Sequence, residues 1–243
     1  MHVQLPKPLH GWREFAGEVG VIVLGVLLAL GAQQLMSDWQ WRSDVRDADR
    51  RMSEEISYDL AMAYERFAID PCLRPRLGEL RDELTDDGPT WPGSRAHFAN
   101  DLYKSDFPGV YRTPGRPWMQ ASWLTALSSG VVGHFRPERA QELGGLFDVV
   151  ALLKQYQSEE EDSAESLGDL AFASPMTSAE RRANLKVVAR LDALDGIVLL
   201  DARVLIDDAR KAGIHADPTV LKGLVDEQRA YRGTCVRNPG KIA

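Results

Sequence analysis

Eighteen consecutive residues, Val19 to Met36 ("VGVIVLGVLLALGAQQLM"), carry no formal charge. As an α-helix rising 1.5 Å per residue they reach about 27 Å, just enough to cross the hydrocarbon core of a bilayer. The run is apolar on every face, which does not suit the core helix of a soluble domain, whose apolar side chains keep to one stripe. A cleaved signal peptide is the alternative, with a cleavage site after Ala29-Leu30-Gly31, although its apolar run is normally shorter. Against cleavage, no proline or turn cluster follows. The helical pattern instead continues through Trp39 and Trp41, whose indoles suit a membrane–water interface. The expectation is a transmembrane helix bounded by Val19 and Met36 that meets the lipid bilayer through residues 19–36.

A chain of 243 residues has room for that helix and one domain of roughly 200 residues with a single sizeable core. Residues 1–36 are therefore read as a cytoplasmic stub and membrane helix, and residues 37–243 as a soluble domain. Within the span, Gly25 and Ala29 are small residues four apart, Ala16 and Gly20 repeat that spacing, and Glu18 lies on roughly the same face. Such a face permits close approach of another helix, from a second copy or another membrane protein. Orientation is balanced between two signals. Arg42, Arg46, Arg50 and Arg51 flank the far end more heavily than Lys7 and Arg13 flank the near end, which favours a cytoplasmic domain. The cysteines favour the opposite, and the expectation is a domain in the periplasm, held to a bacterial inner membrane by one uncleaved span.

Those cysteines are Cys72 and Cys235, the only two in the chain. Their placement suits a disulfide that ties the tail to the body in an oxidising compartment, with two buried thiols as the alternative. No CxxC or Cys/His cluster points to redox work or zinc. Lys7 and Arg13 offset Glu14 and Glu18, so the net charge of −7 belongs wholly to residues 37–243. An acidic domain whose cations alternate with acids repels phosphates, so nucleic acid is not expected as a partner.

Beyond the span the apolar positions run Val45, Ala48, Met52, Ile56, Leu60, Ala63 and Phe67, steps of three and four that continue one helix. It is expected to stop near Asp70-Pro71, where proline disfavours helix in the residue before it, and a short helix over about Leu73–Leu84 follows. Residues 87–117 hold five prolines and four glycines around one short helical piece, Ser94–Tyr103, and read as a structured loop region pinned by Trp91, Phe107 and Tyr111. A helix is predicted from Pro117 to Gly130, with Met119, Trp123, Ala126 and Leu127 on one face. Another follows Pro137 with Leu143, Leu146, Val150 and Leu153 inward, ending in an acidic run, Glu159–Asp162 with Glu165, read as a solvated face. Thr177 and Glu180 form a capping box for a long helix whose apolar side carries Leu185, Val188, Leu191, Leu194, Val198, Val204 and Leu205, closed by Gly213. Asp217-Pro218 opens a last helix to about Tyr231. No segment alternates with period two for long enough to form a convincing strand, so the fold class is all-α: one N-terminal membrane helix continuing into a long helix packed in a bundle.

Chemistry leaves little trace in this pattern. His2, His10, His97, His134 and His215 are far apart, with no metal-ligand spacing, and no nucleophile elbow, phosphate loop or dinucleotide fingerprint occurs. No catalytic, metal or cofactor site is expected. The N-terminal third does resemble a group of uncharacterised bacterial single-pass membrane proteins. The resemblance rests on Gly17-Glu18, "GVLLAL" from Gly25 to Leu30, Gln33-Gln34, Trp39 and the helix from Arg42, and more loosely on "WLTALSSGVVGHFRPERAQELGGLFD". The chain departs from the group in having Gln-Gln where asparagines are common, and a phenylalanine near the end of the second helix where a tyrosine is usual. The resemblance implies topology and fold, not a mechanism. The expected role is an interaction or accessory protein that meets a membrane or periplasmic protein. The alternatives are a ligand-sensing bundle acting through a partner and an enzyme with an unrecognised site.

Overall fold

A computed structural model of the chain describes residues 12–86, 88–96 and 109–239. Its spine is α1, one helix of 74 residues from Trp12 to Thr85. Three further helices pack along the second half of it: α3 (Pro137–Glu165), α4 (Ser178–Lys211) and α5 (Pro218–Arg232). The short α2 (Ala121–Ser128) lies across the part of α1 nearest its apolar end. The all-α reading holds, with one small addition. Two two-residue strands, β1 (Thr90–Trp91) and β2 (Ser174–Pro175), pair antiparallel, Thr90 opposite Pro175. A pair that short has no period for a sequence to display.

The helix boundaries follow local chemistry. At the start of α4 the Thr177 hydroxyl accepts from the Glu180 amide at 3.2 Å, while the Glu180 carboxylate accepts from the Thr177 amide at 2.7 Å. Asp217 caps α5 by accepting from the amides of Thr219 and Val220. Gly130 and Gly213 end α2 and α4 with φ of 76° and 75°, values that side-chain-bearing residues rarely adopt.

Several expectations need correction. First, α1 does not stop at Asp70-Pro71; it runs through Pro71 and Pro75 to Thr85, absorbing the separate helix expected at Leu73–Leu84. Pro71 has no amide for the preceding turn, a loss normally worth about 3 kcal/mol. It is offset by burial of Ala68, Ile69, Leu73, Leu77, Leu80 and Leu84. The Arg237 amide also donates to the Ala68 carbonyl at 2.8 Å, beside the gap. Second, α2 begins at Ala121 and not Pro117, and Leu127 is half-exposed outside the face expected to bury it. Third, the acidic run is not uniformly solvated, because Glu160 is wholly buried. Val204 likewise turns outward from α4. Of the loop residues, Trp91 and Tyr111 are buried as expected; Phe107 and most of the Ser94–Tyr103 piece lie outside the described residues.

The core has two parts. Met52, Ile56 and Leu60 of α1 meet Leu143, Phe147 and Val150 of α3 and Val198 and Leu205 of α4. Farther from the apolar end, Leu73, Leu77 and Leu80 meet Trp91, Leu170 and Leu191. Between them three buried ionic residues, one each from α1, α3 and α4, meet in one cluster. Arg66 of α1 donates to both oxygens of Glu160 of α3, at 2.9 and 3.1 Å, and to Asp195 of α4 at 3.0 Å. Glu160 and Asp195 register α3 and α4 against α1 through that one guanidinium, a specific pairing that apolar contacts alone do not provide. Burial pushes the Asp195 carboxyl up to about 6 against the opposing pull of Arg66.

Candidate functional site

The apolar stretch of α1 has no partner among the described residues. None of its most apolar 18-residue window is buried, and that window has a mean hydropathy of 2.2. Leu28 is 66% exposed, and none of the described residues outside the neighbouring turns comes within 4 Å of the positions where Gly20 and Gly25 would carry a Cβ. Val19 and Met36 are interior residues of one unbroken helix, and Glu18, Gly25 and Ala29 lie on it with their surroundings open. The two tryptophans separate. Trp39 is 70% exposed, whereas Trp41 stacks on His134 with ring centroids 3.9 Å apart, so Trp41 belongs to the edge of the bundle.

From Trp41 onward the bundle opens into a groove of about 760 Å³ between α1 and α2, reaching along α1 to Tyr58. Its existence follows from side-chain size. The residues that α2 turns toward α1, among them Ala121, Ser122, Thr125 and Ser129, are too short to fill the valley between the two helices. Ala48, Ala126 and Val131 form a buried apolar floor. Tyr58 and Met119 close the end farther from the apolar stretch.

Two carboxylates on one face of α1 hold α2 in this position. Glu55 accepts from the amides of Ala121 and Ser122 at 2.7 and 2.8 Å and also from the Ser122 hydroxyl. The first amides of a helix have no partner within it, and Gln120 at the cap position supplies none, so Glu55 satisfies them from outside. One turn later Asp59 accepts from the Met119 amide at 3.0 Å. Eight residues are too few to hold a helix alone, so α2 owes its place to these contacts and to its packing.

Asp59 is wholly buried beneath the groove, with no partner for its second oxygen among the described residues. Burial pushes its carboxyl up to about 8, against the Met119 amide and with help from Glu55. A carboxyl raised in the folded state stabilises folding below its ordinary value near 4, and that contribution is lost as pH rises through about 8. Each unit of displacement carries about 1.4 kcal/mol, so stability is expected to fall by several kcal/mol between about pH 4 and pH 9. Asp59→Asn keeps an acceptor for Met119 and removes the charge. Thermal unfolding should show it level with the parent at about pH 3 and clearly more stable at pH 9; parallel pH profiles would contradict this.

Neither carboxylate was expected from the sequence, although a signal exists. Glu55 and Asp59 fall beside Met52, Ile56 and Leu60, so they interrupt the face that the apolar spacing marks as buried. The other expected positions are placed as follows. Cys72 and Cys235 form a disulfide across a separation of 163 residues, which decides between the bond and two free thiols. His134 and His215 lie apart on different segments, and His2, His10 and His97 are outside the described residues. Among the described residues no group of three or more His, Cys, Asp and Glu side chains is placed to hold a metal ion. Comparison of the chain with protein-family models, with curated proteins and with solved structures gave no match.

Proposed function

We propose that the chain is a single-span protein of a bacterial inner membrane, with its helical domain in the periplasm, and that it acts by binding another protein. The observation that carries this reading is the unburied apolar half of α1, continuous with a helix that is the spine of the domain. Side chains such as Leu28 and Leu30 find no surface among the described residues to cover them, and lipid removes that exposure from water. The disulfide supports an oxidising compartment for the domain. The groove is open and mostly apolar, which favours a protein partner over a small ligand enclosed by the bundle. Ligand sensing ranks second because the polar cluster around Arg66 is sealed from solvent, and its charges, Arg66 with Glu160 and Asp195, pair with one another.

The anchoring is tested by fractionation. The full chain is expected to stay with membranes through a carbonate wash, with residues 19–36 still present in the mature protein by mass spectrometry. A reporter that is active only in the periplasm, fused after Ala243, is expected to be active. A washed-off chain sinks the anchor, and a silent reporter sinks the orientation.

A further inference from the structure

We propose that the groove between α1 and α2 docks a helix of a second, different membrane protein where that protein leaves the bilayer, with a cation on the helix against Asp44 and an anion against Arg51. The inference rests on the anchored reading above and adds the occupant.

Position is the first argument. Trp41 lies five residues past Met36, about 8 Å along the helix, and the groove continues from there to Tyr58, about 26 Å farther. Its occupant therefore runs beside α1 and begins within one helix diameter of the span. Shape is the second. A long valley with a floor of Ala48 and Ala126, walled by the short side chains of α2, offers the close axial approach that packed helices use.

Charge selects among occupants. Four charged residues line the groove, and two are already engaged: Glu55 holds the start of α2, and Glu54 pairs with Arg50 at 3.3 Å. Asp44 and Arg51 have neither an ion pair nor a hydrogen bond among the described residues. They stand seven residues apart on one face of α1, about 10 Å along its axis, one on either side of Ala48. An apolar helix that carries opposite charges two turns apart complements both. A second copy does not. Two chains anchored in one bilayer run their α1 helices parallel, and two-fold symmetry then sets Asp44 against Asp44 and Arg51 against Arg51. An acyl chain fills the floor but leaves both charges without a partner.

The test uses the full chain in detergent micelles and three fluorescein-labelled 18-residue helical peptides with one Leu/Ala stripe. Their two charged positions, seven apart, are Lys and Glu, both Glu, or both Lys. The Lys/Glu peptide satisfies the site in one of the two directions along the groove, and a free peptide can take that direction. It is expected to bind about fivefold or more tightly than the other two. Asp44→Lys should shift the preference to the double-Glu peptide, and Arg51→Glu to the double-Lys peptide. Thr125→Trp, at an exposed position of α2, should fill the valley and abolish binding of all three without lowering the unfolding temperature. Equal affinities, no binding, or binding untouched by Thr125→Trp would overturn the proposal. A dimer lost on Thr125→Trp in sedimentation would assign the groove to a second copy. A lipid retained by the parent and lost from that variant in native mass spectrometry would assign it to an acyl chain. A chain that washes off membranes defeats the anchored reading, whereas a membrane-bound chain indifferent to peptide charge defeats only the docking.

Discussion

Arg66→Ala is expected to destabilise the domain by about 3–5 kcal/mol, because it strands two buried carboxylates without their cation. Glu160 and Asp195 are 0% and 1% exposed, and Arg66 supplies hydrogen bonds to both. The guanidinium is itself disfavoured by burial, and Glu160, Tyr111 and Asp195 around it more than restore its charge. Replacing all three members with apolar residues of similar size, Arg66→Met with Glu160→Leu and Asp195→Leu, should recover most of the loss, since no charge is then left unpaired. Urea denaturation of the parent, the single variant and the triple variant checks both statements. A single variant within about 1 kcal/mol of the parent would show that the trio contributes registration without stability. The pH profile offers a second readout. Asp195 is raised to about 6, so its contribution is present below about pH 4 and lost as pH rises through 6. Without Arg66 to oppose burial, that loss should extend to higher pH.

Loss of the disulfide is the second large effect. The bond spans 163 residues, and chain-entropy arithmetic for a loop of that length gives about 5 kcal/mol as the upper figure for Cys72→Ser. The structure says where the change begins. Cys72 sits between Pro71 and Pro75, where α1 has lost backbone bonds, and the tail it holds brings the Arg237 amide to the Ala68 carbonyl. In Cys72→Ser the Arg237 amide should exchange with deuterium earlier than amides near Met52. The denaturation midpoint should fall, and gel mobility of the parent alone should respond to reductant. An unchanged midpoint would mean that the tail contributes nothing to the closed fold. The same arithmetic bears on compartment, because a domain kept in a reducing cytosol forgoes this bond.

Much of the fold was legible in the chain because the interactions that make it are local. The 3.6-residue spacing from Val45 to Phe67, the Thr177/Glu180 box, Asp217 before Pro218, and Gly130 and Gly213 after their helices all act within a few residues of themselves. Each appears in the structure where the spacing puts it. The failures share the opposite character. The helix continues past Pro71 because its neighbours bury what the proline exposes, and those neighbours come from residues 110, 170 and 236. α2 starts at Ala121 because Glu55, 66 residues away, meets its first amide. Glu160 looked solvated in a run of acids, since nothing nearby in sequence announces Arg66.

The same division holds for the groove. Sequence alone determined that residues 19–36 make one helix apolar on every face, that the remainder is helical, and that two cysteines are available to join its ends. Each of these depends on composition or on a repeat with a period of a few residues. Only the tertiary structure decided that Trp41 stacks on the bundle while Trp39 stays out. It alone placed the small residues of α2 across from Ala48, and left Asp44 and Arg51 facing an open valley. Those facts depend on which distant segments meet, and a charge pair or a void is a property of the meeting, not of either segment.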